Sequence, residues 1–195
     1  MLQSAAAVAV LVSGVVDGTA QRIEAAQIAL RQCTGRGDIL IGQRPSGRPR
    51  LALPYPELAV SLSHRADLLL AAFSPIGDVG ADIEIDAPDI EAHRVATDHF
   101  SPGEAAAVAR AGEATARDLF LRLWVAKEAA LKVSGRGVFD GVGEPDLAAH
   151  LDRLAHDGAE IQIAARGRLP ALTLVLRRLA LPQRPSIYCG LAVAA

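Results

Sequence analysis

The order of strand-like and helix-like segments is the feature that most constrains the fold of this chain. Short apolar runs separated by turn residues fill the first half, and apolar residues then recur at the helical period through the middle. Short apolar runs return in the last third, as is typical of strands. A strand, a helix and further strands, then helices, then strands predict an α+β fold. We expect two similar lobes, at residues 1–97 and 98–195.

The individual segments follow from periodicity and from turn and cap residues. Residues 63–65 are predicted as a turn, and the basic, proline-rich segment 44–54 as a loop. Ser101 precedes proline, glycine and glutamate, which is the pattern of a helix N-terminus. The predicted helices cover residues 19–33, 101–111 and 115–133, and the predicted strands cover 7–12, 39–41, 58–62, 67–73, 79–85, 160–164, 171–176 and 187–193.

Composition excludes several classes of protein. With 195 residues, 51% of them hydrophobic and 22% charged, the chain can bury a sizeable core. A formal net charge of −2 provides no basic field, so nucleic acid is not an expected partner. Cys33 and Cys189 fit neither a disulfide framework nor a zinc pattern, which favours a reducing cytoplasm. The apolar run 5–16 is interpreted as a buried strand, and no membrane association is expected.

The segment 79–86 carries an acidic residue at every second position. Because side chains alternate along a strand, Asp82, Glu84 and Asp86 would share one face. Ala81 and Ile83 would then face the core. One interpretation is a solvated outer face, and the other is a magnesium site, since Mg²⁺ is held by carboxylates and substrate phosphates. The strand alone leaves both open.

The predicted helix 115–133 holds both lysines of the chain, although the chain has 20 basic residues. Glu128 and Lys132 lie four positions apart on one helical face, and Lys127 lies about 100° around the helix from Glu128. An ordinary surface ion pair is one interpretation. A requirement for a compact ammonium, as in phosphate binding, is the other. Ser63-His64 is likewise either structural or a site where His64, next to the serine hydroxyl, donates a hydrogen bond to a phosphate.

The V-G-x-D-x-E strand together with the W-x-x-K-E-x-x-x-K helix resembles the signature of the 4′-phosphopantetheinyl transferase superfamily, in its surfactin-type (Sfp-like) form. The strand motif occupies residues 79–84 and the helix motif 124–132. Flanking elements are also similar, and together they place the resemblance over residues 47–137. They are Gly47-Arg48-Pro49, Ser61-Leu62-Ser63-His64, Phe100-Ser101-Pro102-Gly103-Glu104 and Ser134-Gly135-Arg136-Gly137. Arg65 and Ala81 depart from the usual pattern.

The resemblance implies a fold and an activity. It implies two pseudo-twofold-related α/β lobes with the active site in the cleft between them, in a cytoplasmic monomer. It implies transfer of the 4′-phosphopantetheine arm of coenzyme A to a serine of an apo carrier protein, with release of 3′,5′-ADP. Mg²⁺ or Mn²⁺ would be required. The carrier could serve fatty acid, polyketide or nonribosomal peptide synthesis.

The resemblance also implies roles for single residues, and it implies none for an adenine pocket. Asp82, Glu84 and Glu128 would hold the metal, and Glu128 would also deprotonate the carrier serine. Asp82, Glu128 and Lys132 would form the catalytic set. The expected coenzyme A contacts are those of Arg48, Ser63 and His64 with phosphates and of Lys127 and Lys132 with the pyrophosphate.

Two other classes of function are weighed against transfer. One is a catalytically weak protein that retains affinity for coenzyme A or for the carrier, which a missing acidic or lysine position would favour. The other is a different Mg²⁺-dependent phosphate-transfer or hydrolase enzyme, which a fingerprint such as G-x-x-x-x-G-K-S/T would favour. Neither feature occurs in the sequence.

Overall fold

Two four-stranded antiparallel sheets form the centre of the protein. The computed structural model describes residues 2–3, 7–15, 18–43, 49–52, 58–135 and 143–195. The first sheet has the order β1 (Leu2–Gln3), β2 (Val8–Ser13), β6 (Leu68–Ser74) and β5 (Ala59–Arg65). The second has the order β7 (Val79–Ile85), β10 (Ile187–Ala194), β9 (Leu172–Leu179) and β8 (Glu160–Ile163). A further pair joins β3 (Ile41–Gln43) to β4 (Pro49–Leu51).

Helices cover the outer face of each sheet. The first sheet carries α1 (Thr19–Thr34). The second carries α4, with α2 and α3 packed against it. The helices of this second group are α2 (Ala92–His99), α3 (Pro102–Arg110), α4 (Glu113–Val133) and the short α5 (Leu151–Leu154), which follows a 3₁₀ turn at Ala148–His150.

The inner faces of the two sheets pack on each other, and β6 shows why. All seven residues of this strand are buried. Leu69 and Phe73 pack with residues of α1, whereas Leu68 and Leu70 pack with β7 and β10 of the second sheet. A strand that is buried on both faces reads as a continuous apolar run. The layers are therefore helix, sheet, sheet and helices, which is an α+β architecture as predicted.

Most predicted elements are confirmed, and the strand at 79–85 has the predicted bounds. The predicted turn at 63–65 is wrong, because these residues continue β5 and pair with Leu68–Leu70 of β6. The turn lies at Ala66 and Asp67 instead, and Ala66 has a φ of 52°. Helix α2 was missed; its N-cap residue, Glu91, makes no side-chain cap hydrogen bond. Strand β4 lies in the predicted loop, and residues 44–48 and 53–54 of that loop lie outside the described residues.

The chain passes from the first sheet to the second between Ser74, where β6 ends, and Val79, where β7 begins. The strand β7, which the predicted boundary at 97/98 assigns to the first lobe, pairs along seven residues with β10. The pseudo-twofold relation between two lobes stays a prediction. Within the described residues, no helix is long and apolar enough to cross a bilayer.

Candidate functional site

The acidic face of β7 lies under helix α4. Gly80 is on the same face as Asp82, and a Cβ atom at Gly80 would collide with the carbonyl of Ala129 in α4. A Cβ at Gly190 of the neighbouring strand β10 would come within 2.5 Å of the carbonyl oxygen of Val125. The two glycines therefore let α4 pack directly on the sheet. Ala81 and Ile83 face the core between the sheets, as predicted.

Asp82 is held by side chains from two other elements. It is only 5% exposed, so the interpretation of a solvated outer face is wrong for this residue. Its Oδ1 atom accepts hydrogen bonds from Ser63 Oγ of β5 and from Lys132 Nζ of α4, each at 2.8 Å. Lys132 Nζ also donates to the carbonyl of Ala81 at 2.9 Å. The carboxylate therefore joins β5, β7 and α4.

Two buried carboxylate oxygens at this junction make no hydrogen bond: Asp82 Oδ2 and Glu128 Oε1. Glu128 is 5% exposed. Burial, together with the charges of Asp82 and Glu84, raises the pKa of Glu128 to about 7, although the charge of Lys132 opposes this increase. Buried polar atoms are almost always satisfied in folded proteins. Unsatisfied oxygens on two neighbouring acids indicate a site for a cation or a proton.

The other two acids of the segment 79–86, Glu84 in β7 and Asp86 directly after it, contact arginines. Glu84 Oε2 lies 3.3 Å from Arg65 Nε, and Asp86 Oδ1 lies 2.7 Å from Arg117 Nε. Burial and the charge of Asp82 raise the pKa of Glu84, against the charge of Arg65. The acidic face is thus partly buried and matched by cations from β5 and α4.

A divalent cation fits the donor types at this junction. Among the residues that the structure describes, no three His, Cys, Asp or Glu side chains form a cluster that could hold a metal. Mg²⁺, however, is usually bound through one or two carboxylates, with water and substrate phosphates as the other ligands. The unpartnered oxygens of Asp82 and Glu128 are hard donors of that kind.

Lys127, which the sequence predicts as a pyrophosphate contact, lies between α4 and α3 in the structure. Its side chain is completely buried, and Nζ lies 2.9 Å from Glu104 Oε2 and donates to the carbonyl of Pro145 at 2.6 Å. The ammonium also lies 5.4 Å from the centre of the Phe100 ring. We therefore assign Lys127 to the packing of α4 against α3, and we do not propose it as a pyrophosphate contact.

The predicted phosphate contacts are placed as follows. Ser63 faces Asp82, and its hydroxyl hydrogen is donated to that carboxylate. His64 is exposed and lies on the opposite face of β5 from Ser63, because side chains alternate along a strand. Arg48 lies outside the described residues.

Sequence reasoning gave no role to Ser61 or Arg117, and it noted Arg65 only as a departure from the usual pattern. Ser61 accepts a hydrogen bond from the backbone N–H of Ala81 at 3.1 Å, Arg65 contacts Glu84, and Arg117 contacts Asp86 just after β7. Ser61, Ser63 and Arg65 alternate in the sequence, so a strand assignment for residues 63–65 would have placed all three on one face.

The raised pKa of Glu128 predicts a pH dependence of stability. The ordinary pKa is 4.5 and that of the folded protein is about 7. Between these values the folded protein holds a proton that the unfolded chain has lost, so the free energy of unfolding should fall as the pH rises through this range. We expect a decrease of about 2 kcal/mol, measured by urea unfolding between pH 4.5 and 7.5 with a chelator present. Glu128→Gln should abolish this component; identical pH profiles for parent and variant would contradict it.

Comparison with known proteins gives one family. A family model described as the 4′-phosphopantetheinyl transferase superfamily matches residues 78–175, half of the chain. Over 98 residues the chain is 34% identical to the 4′-phosphopantetheinyl transferase AcpT of Escherichia coli K12, covering 50% of this chain and 49% of the relative. It is 29% identical over 105 residues to a putative 4′-phosphopantetheinyl transferase of Synechocystis, covering 51% and 41%. It is 29% identical over 104 residues to the 4′-phosphopantetheinyl transferase HetI of Nostoc, covering 52% and 44%. The chain spans about half the length of these curated relatives.

Proposed function

The chain belongs to the 4′-phosphopantetheinyl transferase superfamily, and from that premise we propose that it transfers the phosphopantetheine arm of coenzyme A to a serine of an apo carrier protein. The second product would be 3′,5′-ADP. The observation that carries this proposal is the junction of β7 with α4, where Lys132 contacts Asp82 and two buried carboxylate oxygens have no hydrogen-bond partner. The matched segment 78–175 contains this whole junction.

Asp82 and Glu128 would hold Mg²⁺ or Mn²⁺ in this proposal, with Glu84 as the third carboxylate. The bound cation would offset charge on the pyrophosphate as the phosphorus–oxygen bond to the leaving group breaks. Lys132 already contacts Asp82, and a phosphate oxygen beside that carboxylate would be within reach of the same ammonium.

Glu128 would act as the general base. Attack on the β-phosphorus requires removal of the proton from the carrier serine, and a base with a pKa near the working pH is best suited to accept it. The pKa of Glu128 is raised to about 7. The proton would pass to this carboxylate directly or through a water molecule. Metal binding and proton transfer compete for the same group, so the two roles need separate tests.

The phosphate contacts in the proposal come from the N-terminal part of the chain. Ser63 lies beside Asp82 and would contact a phosphate oxygen once the cation occupies the carboxylate. Arg48 and His64 stay as proposed contacts of the 3′-phosphate. Because β5 of the first sheet contributes to a site on β7 of the second, we propose the surfactin-type arrangement, in which a cytoplasmic monomer supplies both sides of the cleft.

The decisive experiment is mass spectrometry of several apo carrier proteins incubated with the protein, coenzyme A and Mg²⁺. Transfer would add the mass of the phosphopantetheine arm to the carrier and release 3′,5′-ADP. Binding of coenzyme A with no such mass on any carrier would favour the alternative of a binding protein without activity. Hydrolysis of coenzyme A in the absence of carrier would favour a hydrolase.

Mg²⁺ is expected to stabilise the folded protein. A ligand that binds only the folded state at a hundred times its Kd adds about 2.7 kcal/mol to the free energy of unfolding. Asp82→Asn should remove most of this increment, while Asp152→Asn, at an exposed site, should keep it. The measurement is thermal or urea unfolding with and without MgCl₂ at constant ionic strength. Equal stabilisation of parent and Asp82→Asn would contradict the metal site.

A further inference from the structure

Arg65 lies at the end of β5 and contacts the acidic face of β7. Its Nε atom is 3.3 Å from Glu84 Oε2, and the side chains are 54% and 23% exposed. Arg65 is on the same face of β5 as Ser63, which bonds to Asp82. Arg65 is thus two residues beyond Ser63, at the next position on the same face of β5.

Asp82 and Glu84 of β7 and Asp86 directly after it each have a basic partner, and the partners differ in how exposed they are. Asp82 pairs with Lys132, which is 27% exposed, and Asp86 pairs with Arg117, which is 31% exposed. Arg65 is the most exposed of the three cations. Lys132 is also fixed by the carbonyl of Ala81. A partly exposed ion pair has a small net free energy, so Arg65 can leave Glu84 at little cost.

A divalent cation at Asp82 and Glu128 would change the forces on Arg65. The guanidinium would then stand beside a positive ion of higher charge and would be repelled by it. A phosphate brought in with that ion offers two oxygens, which match the fork of a guanidinium. The long arginine side chain can turn while the backbone of β5 stays in its sheet.

We propose that Arg65 is an exchangeable counter-cation: it neutralises Glu84 until a divalent cation replaces it, and it then binds the pyrophosphate of coenzyme A. This inference rests on the proposed function. It makes Arg65 a substrate-binding residue in one state and a competitor of the metal in the other. The two effects have opposite signs, which a purely structural ion pair would not produce.

The test is titration of the protein with Mn²⁺ alone, and then with coenzyme A at saturating Mn²⁺, by calorimetry. Arg65→Gln should bind Mn²⁺ about two- to fivefold more tightly, because a competing surface cation is gone. It should bind coenzyme A about tenfold more weakly, because a charged hydrogen bond to phosphate is lost. Arg65→Lys keeps a cation near Glu84 and should retain the Mn²⁺ affinity of the parent.

The matched control is Arg184→Gln. Arg184 pairs with Asp67 at 3.0 Å, with both side chains about as exposed as Arg65, and Asp67 lies in the turn that follows β5. This variant should change neither affinity. If Arg65→Gln leaves either affinity at the parent value, the exchange is overturned while the metal site stands. Absence of Mn²⁺ binding by the parent itself would overturn the metal site of the proposed function, and the exchange with it.

Discussion

Glu128→Gln should lower the rate of phosphopantetheine transfer by about 10²- to 10⁴-fold, the usual contribution of a general base. Glutamine has nearly the same size and is a good helix former, so α4 should stay intact. The amide cannot accept the serine proton, and its oxygen is a weaker ligand than a carboxylate. Glu128 has an unpartnered buried oxygen close to Asp82, so both losses would act at the proposed metal and catalytic site.

Two measurements separate the roles of base and metal ligand. Single-turnover transfer at increasing Mn²⁺ concentration shows whether added metal restores the rate, as it should for a ligand but not for a base. Binding of coenzyme A at saturating Mn²⁺ should change little if the base role dominates. Glu113→Gln, at an exposed position in the first turn of the same helix, is the control and should transfer at the parent rate. A rate for Glu128→Gln within a few-fold of the parent would remove Glu128 from the mechanism.

The strand of the site could be predicted from sequence because one pattern satisfies two demands. Val79, Ala81 and Ile83 must fill the core between the sheets, and alternation then leaves Gly80, Asp82 and Glu84 on the opposite face. Which element covers that face cannot be predicted from the strand alone. The structure shows that α4 covers it, and only glycine at position 80 permits so close an approach, because a Cβ there would collide with the α4 backbone.

The two lysines show where helical position decides what residue type alone cannot. The scarcity of lysine indicated that both ammonium groups have special roles. Lys132 lies on the helical face of Glu128 and reaches Asp82, whereas the turn of about 100° between Lys127 and Glu128 directs Lys127 to α3. The partner of Lys127 was not predicted, because Glu104 was explained by the capping box at Ser101. A capping glutamate can also be a buried counter-ion.

Lys127→Met is expected to destabilise the protein by about 3–5 kcal/mol, since it leaves a buried carboxylate without its counter-charge. Glu104 and Lys127 are both completely buried, and the two charged atoms are 2.9 Å apart. Among the residues that the structure describes, Glu104 would keep the backbone N–H donors of Ser101 and Leu147, at 2.8 and 2.7 Å. Methionine has a similar size and flexibility to lysine, so the loss of stability would come from the missing charge and not from a cavity.

The double variant Glu104→Gln/Lys127→Met isolates the interaction. Removing both charges leaves no unpaired ion, so it should recover a large part of the stability lost by either single change. The free energy of unfolding is measured in urea at one pH for Glu104→Gln, Lys127→Met, the double variant and Arg94→Met. Arg94 pairs with Glu91 on the surface, and its replacement should leave the unfolding midpoint close to that of the parent.

The same variants decide between the two assignments of Lys127. A phosphate-binding lysine that does not support the fold would lose coenzyme A affinity on mutation to methionine and keep the unfolding midpoint. If Lys127 instead packs α4 against α3, Lys127→Met should lower the unfolding midpoint. The double variant should then regain both stability and coenzyme A affinity. If Lys127→Met alone does not fold, coenzyme A binding can still be measured on the double variant, because that variant has no unpaired buried charge. A stable double variant that cannot bind coenzyme A would restore the pyrophosphate contact predicted from sequence.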